Sequence, residues 1–169
     1  MKALKKETEP SSLPCESVES IEEAQVLVAV LESNLGKYEH LSAPEINLQK
    51  KVAIIRTSDF SIDLINPIIL SEEDPIISFG ETCSSFPHSF ANCFRYNKIK
   101  LQNGIKKKEL ILEGISAILV QHEVDHLNSI SIKSRLIKMA IVREGGKIIE
   151  NNLCFCGSKR KFVSCCKKK

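Results

Sequence analysis

QHEVDH, residues 121–126, follows the apolar run Ile115–Val120 and sets two histidines, two acids and a glutamine in six positions. Whether it is a charged helix end or the metal-holding centre of an enzyme decides how the rest of the chain is read. The spacing predicts a helix from Leu112 to Leu127. Glu113 falls in its first turn, where a negative charge meets the helix dipole, and Asn128-Ser129 marks the stop. Residues three or four apart stack on a helix, so Ile115, Leu119, His122 and His126 share one broad face. Two imidazoles at the inner end of an apolar face are costly to bury unless something binds them, which favours a metal over a solvated cluster. Glu123, beside the first histidine, could then take a proton from water acidified by that metal and return it to a leaving group.

Two ligands do not complete a site. No histidine follows His126, and Ser129 and Ile132 stand where one class of zinc proteases continues with Gly and His. Glu144 and Glu150 remain candidates, in or beyond the break at Gly145-Gly146. Upstream, GETCSSFPHSF at 80–90 carries Cys83 in a loop flanked by Gly, Ser and Pro. A thiolate there would complete a Cys-His-His set and leave one coordination position open.

Outward from the motif, SIEEAQVLVAVLESNL at 20–35 starts with a capping box, Ser20 and Glu23, and repeats Ala24, Leu27, Val28 and Leu31 on one face, so it is an amphipathic helix. A loop spans Gly36–Ser42. VAIIRT at 52–57, LINPIIL at 64–70 with an interruption at Asn66-Pro67, and IISF at 76–79 are short and rich in β-branched residues, as strands are. RYNKIKL, Asn103-Gly104 and IKKKELIL read as a hairpin with a type I′ turn. The first 15 or so residues form a loosely held arm. ISIKSRLIKMAIVRE at 130–144 is compatible with a strand and short helix or with one longer helix.

The 169 residues, 43% hydrophobic and 27% charged, suit one domain of residues 1–150 with a small appendage at 151–169. No stretch approaches the roughly 18 uninterrupted apolar residues of a membrane span, and MKALKKETEP lacks the apolar centre of a signal peptide. A cytoplasmic protein is expected, with host-cell cytoplasm or an organelle as the other settings. The net charge of +3 is uneven: Glu7–Glu23 holds six glutamates and no basic residue, and Cys154–Lys169 holds six Lys or Arg and no acid. Only the tail therefore suits a polyanion. Seven cysteines without an export signal argue for thiols or metal ligands over disulfides. Cys15 and Cys93 are expected to be small core or surface residues.

At this point a resemblance becomes specific. QHEVDHL at 121–127 and ETCSSFP at 81–87 resemble the metal-binding helix and cysteine loop of peptide deformylases. HLSAPEINLQKKVAII at 40–55, LINP at 64–67, Phe94-Arg95 with NKIKL, and Glu113-Gly114 follow in that family's order, over residues 10 to 135. The resemblance implies an α+β fold with antiparallel sheets around a central helix. It also implies removal of the formyl group from N-formylmethionyl peptides. Cys83, His122 and His126 would hold Fe2+ or Zn2+, Glu123 would act as general base and then acid, and the backbone N–H of Ser84 would hold the oxyanion. The family's second oxyanion donor is a glutamine, at whose place this chain has Glu45; an ionised carboxylate there would repel the developing charge, so either burial and its neighbours keep Glu45 protonated, or turnover is slow, or the chemistry has changed. Tyr38 and His40 replace glycines of the same loop, which implies a narrower or displaced cleft. As loop residues both would ordinarily sit at the surface, with His40 a lesser candidate ligand.

CFCGSKRKFVSCC places Cys154 and Cys156 one residue apart and Cys165 and Cys166 after an eight-residue gap. Four thiolates so spaced can clamp a tetrahedral Zn2+, and a knuckle this small needs such a clamp. The segment resembles the SEC-C motif at the end of the SecA translocation motor. Its basic residues suit the ribosome, by counterion release from RNA, or an acidic translocation-related protein. Two other functions share these residues: a weakly active or inactive deformylase-fold adaptor for a ribosomal or chaperone partner, and a metalloprotease. Formate release from formyl-Met peptides, against internal cleavage of an unformylated peptide, separates them.

Overall fold

The computed structural model describes residues 13–83, 85–136 and 160–165. Strand β2, Val52–Arg56, shows how its layers are arranged. Val52, Ala53, Ile54 and Ile55 are all fully buried, as happens when a strand is covered on both faces. Successive side chains point to opposite faces. Val52 and Ile54 join Val18, Ala24, Leu31, Leu41 and Ala43 in one cluster, against helix α1, Ile21–Leu35. Ala53 and Ile55 join Leu64, Ile99, Leu101 and residues of helix α2, Ile115–Leu127, in the other. The sheet order is β1-β2-β3, all antiparallel, with β1 at His40–Ser42 and β3 at Ser61–Ile65. A second antiparallel sheet, β4-β5-β6, is made of Ile68–Cys83, Phe86–Asn103 and Lys108–Glu113. Ile99 and Leu101 of β5 reach the same cluster, so α2 lies between the two sheets. This is the expected α+β arrangement around a central helix.

Helix α1 begins as its sequence predicts, with Ser20 Oγ accepting from the Glu23 N–H at 3.1 Å. Glu23 reaches one residue further back than a capping box requires, accepting from the Glu19 N–H at 2.9 Å. The predicted loop over Gly36–Ser42 ends early, because His40–Ser42 pairs with β2. LINPIIL is divided at Asn66-Pro67 as expected, and Asn66, at φ 48°, exchanges two hydrogen bonds with the Val18 backbone. IISF is no separate strand; it lies inside the 16-residue β4.

The hairpin is present but its turn is longer than two residues: Asn103 pairs with Lys108, and Gly104–Lys107 makes the loop. Asn103 stays in the strand because its side chain brackets β3, accepting from the Ile65 N–H and donating to the Asp63 carbonyl, each at 2.8 Å.

The second helix starts at Ile115, three residues later than its pattern suggests. Glu113 is not in its first turn; it closes β6 beside Lys98, 3.2 Å away, and Gly114 at φ 64° makes the corner. Ile115 is also off the inner face, at 69% exposed. Asn128 caps the helix and Ser129 follows at φ 58°. A 3-10 turn, Ile132–Arg135, comes next, and residues 137–144 lie outside the described part. No helix among the described residues is long and apolar enough to cross a membrane. Cys93 is fully buried and Cys15 half-buried.

Candidate metal centre

From Val120 to Leu127 every residue of α2 is buried, although five are polar or charged. A helix enclosed on all sides tolerates such residues only where each polar atom finds a partner. Gln121 accepts from the Tyr96 N–H and donates to the Tyr96 and Ala117 carbonyls. Asp125 accepts from Arg95 at 2.6 Å and from Arg135 at 2.6 and 3.0 Å. In this helix, the buried side-chain atoms that remain without a partner are Nδ1 of His126 and Oε2 of Glu123.

His122 and His126, one turn apart, point inward together. Their Nε2 atoms are 3.1 Å apart, and Cys83 Sγ lies 3.2 Å from His126 Nε2. Cys83 comes from the end of β4, where register shifts between Ser78, Glu81 and Cys83 bend the strand; bulges of this kind re-aim side chains. Gly80, at φ 69°, permits the bend. All three side chains are buried, with donor atoms within 4.8 Å of one another.

The residues fit a metal. His122 Nδ1–H donates to Glu81 Oε2 at 3.2 Å, an arrangement that, with the ring neutral, would leave the lone pair of Nε2 facing His126. Two ring nitrogens facing each other in a buried space need a cation or a proton between them. Bonds of about 2.0–2.3 Å to a tetrahedral zinc would space its donors by roughly 3.3–3.7 Å, a few tenths beyond the spacing found. When protons rather than a cation fill that space, burial opposes the Cys83 thiolate, but hydrogen bonds donated by His122 and His126 outweigh it and bring the thiol down to about 7.

Behind His122 stands a charged frame. Arg95, 2% exposed, donates Nε to Glu81 Oε1 and Nη2 to Glu81 Oε2, each at 2.9 Å, and its third nitrogen to Asp125. Burial works against the Glu81 charge, yet the hydrogen bonds from His122 and Arg95 hold its carboxyl down to about 2. The frame fixes the tautomer of His122 and closes on Asp125 in the same helix. Glu81, Arg95 and Asp125 were not among the site residues read from sequence. Their signals were an arginine within the strand run ANCFR and an acid three residues after His122.

Glu123 is fully buried, and His40 Nδ1–H donates to its Oε1 at 2.6 Å. His40 is therefore no surface loop residue; its side chain is 13% exposed. Tyr38 is the exposed one, under Lys37. Glu45 also enters the centre. Its Oε2 accepts from the Ser42 N–H at 2.8 Å and Oγ–H at 2.7 Å, a capping box of the 3-10 turn Ala43–Ile46 that S-A-P-E announces. Its Oε1 faces Ser85 Oγ at 3.3 Å and His126 Nε2 at 3.7 Å.

A cavity of about 200 Å³ opens beside His40 and His122, lined by Phe79, Ile115, Ile118 and Leu119 among others. A larger groove, about 540 Å³, runs between α1 and the β5–β6 loop and holds none of these donors; the chemistry assigns the smaller one. Ser84, Glu144, Glu150, Cys154, Cys156 and Cys166 lie outside the described residues. Cys165 is buried, with Arg160 Nη2 at 3.4 Å from its sulfur.

Residues 2–141 match the model of the polypeptide deformylase family. The chain belongs to that family. It is similar to peptide deformylase 2 of Bacillus subtilis, 30% identical over 156 residues that cover 80% of this chain and 85% of that one. It is also similar to the peptide deformylase of Clostridium beijerinckii, 31% identical over 109 residues, 63% of this chain and 79% of the other. Among solved structures, a peptide deformylase from Synechococcus elongatus in complex with actinonin superposes with a TM-score of 0.68 at 23% identity, covering 76% of this chain and 74% of that one. This last likeness concerns the fold alone. As a family member the chain is a metal-dependent deformylase, and the deformylase fold explains why Cys83, from a strand forty residues upstream, meets the two histidines of α2.

Proposed function

We propose that this deformylase uses Cys83, His122 and His126 to hold Fe2+ or Zn2+ and Glu123 to move the proton, releasing formate from peptides that begin with N-formylmethionine. One observation carries the reading: a buried Cys-His-His set with the unpartnered Oε2 of Glu123 beside it. The metal, when bound, supplies Lewis-acid chemistry, acidifying water and polarising the formyl carbonyl. The cavity lined by Phe79, Ile118 and Leu119 receives the methionine side chain. Glu123 takes the proton from water as its oxygen bonds to the formyl carbon. The carbon–nitrogen bond then breaks, and Glu123 returns the proton to the departing amine. The backbone N–H of Ser84 stabilises the oxyanion. The adaptor alternative has no observation behind it. Formate release from formyl-Met peptides by iron- or zinc-loaded protein tests the reading.

Glu45 limits the rate in this scheme, since a carboxylate has no proton to offer the oxyanion. In Glu45→Gln the Ser42 N–H still demands an oxygen, which holds the amide carbonyl in place and turns the NH2 toward the metal cluster. Formate release at neutral pH is expected to rise at least about tenfold, since one oxyanion donor contributes about 2.7–4 kcal/mol. An unchanged or lower rate would assign Glu45 a positive role.

The tail, residues 151–169, completes the proposal. Cys154, Cys156, Cys165 and Cys166 bind a structural Zn2+ in a SEC-C-like knuckle, and its basic residues direct the enzyme to the ribosome or the translocation machinery. Cys154→Ser is expected to lower zinc content by about one equivalent per chain. Removing the tail should abolish a salt-sensitive association with ribosomes; salt-independent association that survives removal would contradict this targeting role.

A further inference from the structure

Two departures from the family pattern, His40 for glycine and Glu45 for glutamine, converge on Glu123. A carboxylate oxygen of Glu45 lies within 4.8 Å of ligand atoms of both Glu123 and His126. Neighbouring buried carboxylates repel one another, and a buried carboxylate side chain turns about its last bonds unless something holds it. His40 supplies the hold. Its Nδ1–H donates to Glu123 Oε1 at 2.6 Å, across 83 residues of sequence. The imidazole is fixed in turn. Its backbone pairs with Ile55 in the β1–β2 ladder, and its ring stands edge-on to His122, centroids 5.1 Å apart at 70°. With Oε1 tied in this way, Oε2 is the oxygen left buried without a partner among the described residues.

We infer that His40 is a positioning residue for Glu123, holding Oε1 so that Oε2 is kept for the proton of the reacting water. The inference rests on the deformylase reading of this site, with Glu123 as the proton-transfer group. A glycine at position 40 leaves Oε1 without this donor while the Glu45 charge stays close, so the carboxylate is free to rotate away from its working orientation. Misplacement of a reacting group by about 1 Å is enough to lose on the order of 100-fold in rate.

The test uses the full chain loaded with zinc and compares native protein, His40→Gly and His40→Asn. His40→Gly is expected to lower kcat about tenfold or more, with KM for a formyl-Met peptide and zinc content unchanged. His40→Asn keeps a side-chain N–H and should recover part of the loss. In 15N-labelled native protein the His40 ring N–H should resonate far downfield, and that signal should vanish in Glu123→Ala. Unchanged kcat in His40→Gly would overturn the inference, as would a loss that follows zinc content, or a His40 resonance indifferent to Glu123→Ala. If His40→Gly does not fold, the Asn variant and the resonance decide. If the native protein releases no formate with any metal, the deformylase reading fails instead, and the resonance alone judges whether His40 holds Glu123.

Discussion

Glu123→Ala is expected to lower formate release by about 100- to 10,000-fold while the protein keeps its metal. The reason lies in the geometry around α2. The Glu123 carboxylate is fully buried; it lies near donor atoms of His122 and His126 but is not one of the three in the Cys83–His122–His126 set. Its removal therefore takes away the proton acceptor and leaves the three donors in place. Alanine also removes the acceptor facing His40, and the freed imidazole lies close enough to His122 for metal content to need direct measurement beside activity. Metal analysis and formate release on the same preparation check the prediction. Retained activity would remove Glu123 from the mechanism; loss of both together would make it a structural residue of the metal centre.

The largest effect on stability is expected from Arg95→Met. Arg95 is 2% exposed and bridges two nearly buried carboxylates, Glu81 and Asp125. Taking away the cation leaves Glu81 to His122 alone, while Asp125 keeps Arg135. An uncompensated buried charge of this kind costs about 3–5 kcal/mol. In a domain of this size that corresponds to a fall in Tm on the order of 10 °C. Methionine keeps most of the volume, so a cavity is not the cause. Thermal unfolding of native and variant protein, each with zinc and without, reads the change. A fall of less than about 1 kcal/mol would mean that water or a rearranged Arg135 reaches Glu81, and that the frame behind His122 is not closed. Because Glu81 orients His122, zinc affinity should weaken along with stability, by about 10- to 100-fold.

Much of this molecule is legible locally. The two helices, the β5–β6 hairpin and the break at Asn66-Pro67 follow from periodicity, a capping box and turn residues, and QHEVDH together with Cys83 names a candidate donor set that the structure brings together. The misjudged boundaries share a cause. Glu113 and Asn103 look like a helix start and a turn residue, but each is used by another segment: Glu113 beside Lys98 in the sheet and Asn103 as a bracket onto β3. Tertiary contacts of this sort override local preference.

The electrostatics of the site were not legible in the same way. A sequence states that His40, Glu45, Glu81, Arg95 and Asp125 exist, and spacing along one helix or strand states which of them share a face. It does not state which face of β1 meets α2, or that bulges near Gly80 aim Glu81 at His122 and Cys83 at His126. The sequence by itself determined the family and the α+β architecture, and it named the candidate ligands and a candidate group to move a proton. Only the tertiary structure decided that His40 holds that group, that Arg95 and Glu81 hold His122, and that Glu45 faces the centre. Those pairings join residues 14 to 83 positions apart, and they form because two sheets close on a buried helix whose polar atoms have no water to turn to.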